Sequence, residues 1–156
     1  MKKLIVLASV ICIGILFAGC AKQQSLNVSV EKTVSQNDTK VVSKIGSTED
    51  FIKSLEKSGY KINSSTQENK GFLSGTLTAV NINDDTICVY EYKNNQQMEE
   101  DLKTISSDGS MVGNAEVEWI KAPHLYKSGN IIVIYVGENK EMTEALEKLL
   151  GKQFAG

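Results

Sequence analysis

Residues 130–136 read NIIVIYV, and no other stretch constrains the fold as much. From Ile131 to Val136 every position is apolar, so neither alternating set of side chains can face water. A strand of this kind belongs inside a sheet and not at its edge. HLYK, a turn at Ser128-Gly129 and this run read together as a hairpin. NKEMTEALEKLLG follows as a helix, with Asn139 as N-cap and Gly151 just past the end.

The preceding chain supplies partners. STEDFIKSLEKSGY predicts a helix capped by Ser47 or Thr48, with Glu49 and Asp50 in its first turn and Gly59 as its stop. YKINSST alternates weakly as a strand. FLSGTLTAVNI and TICVYEY are stronger strands, joined by a turn at NDD. NNQQMEEDLKTI predicts a second helix, capped by Asn94 or Asn95, with Met98, Leu102 and Ile105 on one side. SSDGSMVG reads as a loop. AEVEWI alternates Val117 and Trp119 against acids, as a half-buried strand does, and Pro123 interrupts it. The fold class expected is α+β: an antiparallel sheet of about five to six strands with three helices packed mainly on one face. Residues 86–105 align without gaps on 130–149, pairing Ile87 with Ile131, Val89 with Val133, Asn95 with Asn139 and Met98 with Met142. An internal ββα repeat would produce this. So would any two strand–cap–helix units.

The other end of the chain reports on location. MKKLIVLASVICIGILFAGC opens with Lys2 and Lys3, continues as an apolar run from Leu4 to Phe17, and ends on small residues. That is the layout of a secretory signal peptide, too short for the roughly 20 apolar residues of a membrane-spanning helix. Its last residues, Leu16-Phe17-Ala18-Gly19-Cys20, resemble the lipobox of bacterial lipoproteins, with Phe17 where leucine is more usual. The resemblance implies cleavage between Gly19 and Cys20 and a diacylglyceryl group on the Cys20 thiol. Residues 1–19 are then a lipoprotein signal peptide. Residues 20–46 are the lipidated cysteine and a Ser/Gln/Asn/Lys-rich tether, with Val28-Ser29-Val30 or Lys40-Val41-Val42 as the only hints of an edge strand. Residues 47–156 are a single α+β domain. The expected location is the bacterial cell membrane, lipid-anchored and facing outside the cytoplasm.

Composition narrows the function. The net charge is −2, and all 17 basic residues are lysines. No basic stripe exists, so nucleic acid is not an expected partner. Without arginine there is no bidentate clamp for phosphate or carboxylate. Of the three cysteines, Cys12 lies in the leader, and Cys88 sits on a strand where only Cys20 could meet it. A disulfide framework is not expected. His124 is the only histidine, too few for a transition-metal site, and no cofactor is called for. SLEK at 54–57 matches S-x-x-K without the companion motifs, and NINDD at 81–85 lacks the later ligands of a calcium loop. No catalytic residue is assigned. The recognition residues expected are Trp119, Pro123, His124 and Tyr126, aromatics clustered around a proline, with Tyr135 near them. Alternation along the strands also explains Trp119 and Tyr135 as core.

GFLSGTLTAVNI…VYEY, ISSDGSMVG, WIKAPHLYKSGNIIVIYVG and LEKLLGKQFAG together resemble a family of small, uncharacterised bacterial lipoproteins and secreted proteins. Members typically show Pro-Pro-His at Ala122-Pro123-His124 and Phe-Tyr at Leu125-Tyr126. The resemblance implies one exported, often lipidated domain and brings no activity or site residue. The function expected is an anchored binding module for an envelope protein, peptide or wall component. The alternative is a small hydrolase using His124, with an acid or serine within hydrogen-bond reach.

Overall fold

A computed structural model describes residues 44–156. The leader, Cys20, the Gly19–Cys20 cleavage point, the tether up to Ser43 and its two suggested edge strands lie outside the described residues.

The elements run α1 (Thr48–Lys57), β1 (Ser64–Glu68), β2 (Thr76–Ile82), β3 (Asp85–Glu91), α2 (Asn95–Leu102), β4 (Met111–Val112), β5 (Ala115–Glu116), β6 (Pro123–Ser128), β7 (Ile131–Val136) and α3 (Lys140–Leu150). Five strands form one antiparallel sheet in the order β1-β2-β3-β7-β6, and β4 pairs with β5 as a separate small hairpin. The fold is α+β. The expected caps are in place: the side chains of Ser47, Asn94 and Asn139 accept from Asp50 N, Gln97 N and Met142 N. Each satisfies one of the donors a helix start leaves open.

β7 lies between β3 and β6, and its first five residues are buried. Its two apolar faces meet two different layers. Ile131, Val133 and Tyr135 join Ile87 and Val89 beneath α1 and α3, which contribute Phe51, Leu55, Met142 and Leu146. Ile132 and Ile134 join Leu77, Tyr90 and Tyr92 on the opposite face, beneath Met98 of α2 and Val112 of the small hairpin. Two of the three helices therefore share a face, and α2 helps cover the other. Ile45 is in the first core, so packing begins ahead of Ser47.

This arrangement does not carry the internal repeat. Ile87 and Ile131, and Val89 and Val133, do face the same side of the sheet. Their following helices do not, because Met142 packs on that side and Met98 on the reverse.

Three local readings change. The β6–β7 turn is Gly129-Asn130, with Gly129 at φ 54° and a Cβ there only 2.5 Å from Gly46 Cα, so glycine is required. Pro123 opens β6 instead of interrupting a strand; the first position of a strand tolerates the missing N–H. AEVEWI shrinks to the two residues of β5. The tail folds back, as Phe154 beyond the last helix suggests: Phe154 N donates to Leu125 O at 2.9 Å and Leu125 N to Ala155 O at 3.0 Å. It covers part of the β6 edge. At the other edge all five residues of β1 are exposed and polar, which makes that edge a poor template for apolar pairing.

Candidate functional site

The sheet divides the four expected recognition residues between its faces. Tyr126 is 2% exposed and belongs to the core beneath α1 and α3. Its hydroxyl is pushed up by burial first and by Glu147 second. His124 points the same way and stacks on Tyr135, with ring centroids 5.8 Å apart. Its Nδ1 lies 2.8 Å from Gln153 Oε1 and its Nε2 3.1 Å from Gly137 O. Gln153 Nε2 donates to Gly156 O at 2.9 Å, which turns the amide oxygen toward the imidazole. Both ring nitrogens thus face amide oxygens. Neither has a serine hydroxyl or a carboxylate as partner, the neighbour a hydrolytic role calls for. The imidazole instead links β6, the residue after β7 and the C-terminal tail. Pro123 and Trp119 lie toward the opposite layer, where Trp119 packs against the second core.

Trp119 finds a different neighbour. Its ring meets Phe72 edge to face, with centroids 6.1 Å apart and planes at 73°. Trp119 Nε1 donates to Gly109 O at 2.7 Å, so the indole is fixed and its one polar atom satisfied. Phe72 is 47% exposed, Met111 38% and Ile120 94%, and these are the exposed large hydrophobics among the described residues. They converge. Met111 lies in the β4–β5 hairpin and Ile120 follows Trp119. Gly113, at the hairpin tip, comes so close to Phe72 that a Cβ there would stand 2.1 Å from Phe72 O. Sequence reading did not find Phe72, Met111 or Ile120. Their meeting depends on topology, since Phe72 precedes β2 and Trp119 precedes β6.

The bend carrying Phe72 is held from two sides. Phe72 N donates to the Tyr90 hydroxyl at 3.2 Å. Asp101, on α2, accepts from Ser74 N at 2.6 Å, Ser74 Oγ at 2.9 Å and the Tyr92 hydroxyl at 2.8 Å. Burial, and next the Asp101 carboxylate, push the Tyr92 hydroxyl far above its ordinary range. Asp101→Ala leaves that buried hydroxyl without its acceptor, and such a loss costs about 1–3 kcal/mol. Urea unfolding monitored by circular dichroism should show the loss, and Trp119 emission should shift in the folded state as Phe72 is freed.

ISSDGS is a closed turn. The Asp108 carboxylate accepts from the Ser106 hydroxyl, from Ser110 N at 3.1 Å and from Ser110 Oγ at 2.9 Å. These bonds, that from Ser106 first, lower its pKa from 3.8 to about 2. A depressed carboxylate stabilises its turn fully above the unfolded value and loses that contribution as pH falls through the folded one. Protection of the Ser110 amide, its exchange measured against the intrinsic rate at the same pH, should therefore fall between pH 3.8 and about 2. Asp108→Ala, which removes the acceptor, should show low protection at Ser110 already at neutral pH.

Other chemistry-bearing groups are occupied or protected. Burial raises the Cys88 thiol, which keeps it a weak nucleophile. Tyr135 donates to Asp85 Oδ1 at 2.9 Å, and Asn139 Nδ2 donates to Asp85 Oδ2 at 2.9 Å, tying the start of β3 to the cap of α3. Among the described residues no group of three or more His, Cys, Asp or Glu could hold a metal ion, and no helix is long and apolar enough to cross a membrane. No family model, curated protein or solved structure matches the chain.

Proposed function

We propose that the chain is a bacterial lipoprotein, anchored in the cell membrane through lipid on Cys20 and facing outside the cytoplasm, and that its folded part is a binding module. The anchor reading rests on one observation: the apolar run from Leu4 to Phe17 ends in Ala18-Gly19-Cys20 and is followed at once by polar chain. The exposed side chains of Phe72, Met111 and Ile120, with the half-buried Trp119 beside Phe72, support the binding reading. Large apolar side chains left exposed near one another are what interaction sites present.

Mass spectrometry of the membrane-extracted protein tests the anchor. The expected N-terminal peptide begins at Cys20 and carries a diacylglyceryl group. Cys20→Ser should abolish the modification. An extracted protein with a bare thiol at Cys20, or with the leader still attached, would overturn the reading. Cross-linking in intact envelopes, with the Cys20→Ser protein as control, reports whatever meets the exposed group.

A further inference from the structure

We infer that the exposed side chains of Phe72, Met111 and Ile120, with the half-buried Trp119 beside Phe72, rest on the surface of the bilayer that holds the anchor, so that the folded part lies on the membrane in a fixed orientation. The inference rests on the anchor reading given above and adds a second, independent membrane contact.

Four observations carry it. First, the exposed large hydrophobics among the described residues are Phe72, which meets the Trp119 ring, Met111, in the hairpin whose tip reaches Phe72, and Ile120, which follows Trp119 and is 94% exposed with no packing role to account for it. Second, the residue types suit the interface between water and lipid. Trp and other amphipathic side chains concentrate at that level of a bilayer. Lys70 and Lys121, on either side of the group in sequence, can lay their stems along it and keep their charges in water. Third, the Trp119 indole N–H is already bonded to Gly109 O at 2.7 Å. Carrying a free donor into an apolar medium is costly, and here that cost is removed in advance. Fourth, residues 21–43 cannot hold the folded part farther than about 85 Å from the lipid on Cys20, whatever their path. The group is therefore always within reach of the bilayer, and a weak contact counts because it is intramolecular.

Charge decides the kind of contact. Residues 44–156 hold 12 lysines against 17 acids, and Glu116 and Glu118 lie next to the group. An anionic surface repels such a domain. The contact is thus apolar, and it is expected to be stronger on neutral lipid and to survive high salt.

Trp119 is the only tryptophan, so it reports on the contact directly. The lipidated full chain is reconstituted into phosphatidylcholine vesicles whose acyl chains are brominated, and into unbrominated controls. Bromine quenches indole only at contact range. In the expected result, Trp119 emission is quenched and shifted to shorter wavelength, and high salt does not reverse it. Ile120→Asp, at a site that contributes nothing to the core, abolishes the quenching while circular dichroism and vesicle flotation stay unchanged. Added phosphatidylglycerol reduces the quenching. If the chain floats with the vesicles but Trp119 is unquenched, the inference is overturned and the anchor stands; a protein partner for the group would give this outcome. If the chain does not float, the anchor reading itself fails. Quenching that Ile120→Asp leaves untouched also overturns the inference.

Discussion

Phe51→Ala is expected to remove about 3–5 kcal/mol of stability, a large part of what a domain of this size has to lose. Phe51 is fully buried and sits where α1, α3 and the sheet meet. Alanine there deletes the ring from a packed interior that relaxes only in part, so a cavity term adds to the lost burial. Phe72→Ala removes the same atoms from a residue that is 47% exposed. It should cost well under half as much, because water already reaches one side of the ring. Urea unfolding of both variants measures the contrast. Equal losses would mean that Phe72 is core and that the surface group at Trp119 has been misread. The contrast bears on function too. An aromatic that the fold hardly needs, held beside the only tryptophan, is available for contact with something else.

How far the fold was legible varies with the kind of signal. The helices announced themselves through local chemistry. Ser47, Asn94 and Asn139 each stand directly before an amphipathic run, and a side-chain cap acts within three residues, so no tertiary information is needed. The interior place of β7 was legible for a similar reason: a strand without a polar face has few options. Which layer each helix joins was not legible. α2 and α3 present nearly the same pattern, yet they cover opposite faces. The clue was present in β3, where Ile87 and Val89 alternate with Tyr90 and Tyr92 and both sets are apolar. A sheet with two apolar faces needs two covering layers, which helices on one face alone do not supply.

Alternation misled at AEVEWI. Period-two burial normally means a ladder. Here only Ala115 and Glu116 pair, with Val112 and Met111. Val117 and Trp119 bury their side chains against the second core beyond the paired residues, Val117 with one backbone bond to Ser110 and Trp119 held by a hydrogen bond to Gly109. Burial produced the pattern without the ladder. The candidate site failed for a related reason. Proximity in sequence placed Trp119 with His124 and Tyr126, but successive residues of a strand face opposite ways, and His124 and Tyr126 fall on the face of β6 turned away from the layer that holds Trp119. The true neighbour of Trp119 arrives from the start of β2, a contact that exists only once the sheet order is known.

Gly113→Ala is expected to be the costliest of the exposed-site substitutions and to dismantle the group around Trp119. Two effects add. Gly113 has φ 66°, and an L-residue held there pays about 1–2 kcal/mol. A Cβ would also stand 2.1 Å from Phe72 O, a backbone atom that no rotamer change can remove. Displacing it costs about 1–3 kcal/mol more, the range for forcing extra atoms into filled space. Gly59→Ala supplies the control. Gly59 has φ 94°, and a Cβ there meets nothing within 4 Å, so it pays the conformational cost alone. The difference between the two variants in urea unfolding isolates the close approach. The displacement also has a direction. The hairpin tip and the Phe72 bend must separate, although Asp101 restrains the bend at Ser74 and Ser106 restrains the base of the hairpin at Met111. Phe72 and Trp119 should then part, and Trp119 emission in the folded protein should move toward that of an exposed indole. If Gly113→Ala costs no more than Gly59→Ala and leaves the emission unchanged, the hairpin does not hold the aromatic pair together. If Gly113→Ala shifts the emission of the protein free of lipid and Ile120→Asp leaves that emission unchanged, shape and contact separate: the hairpin builds the surface, and Ile120 only meets what lies against it.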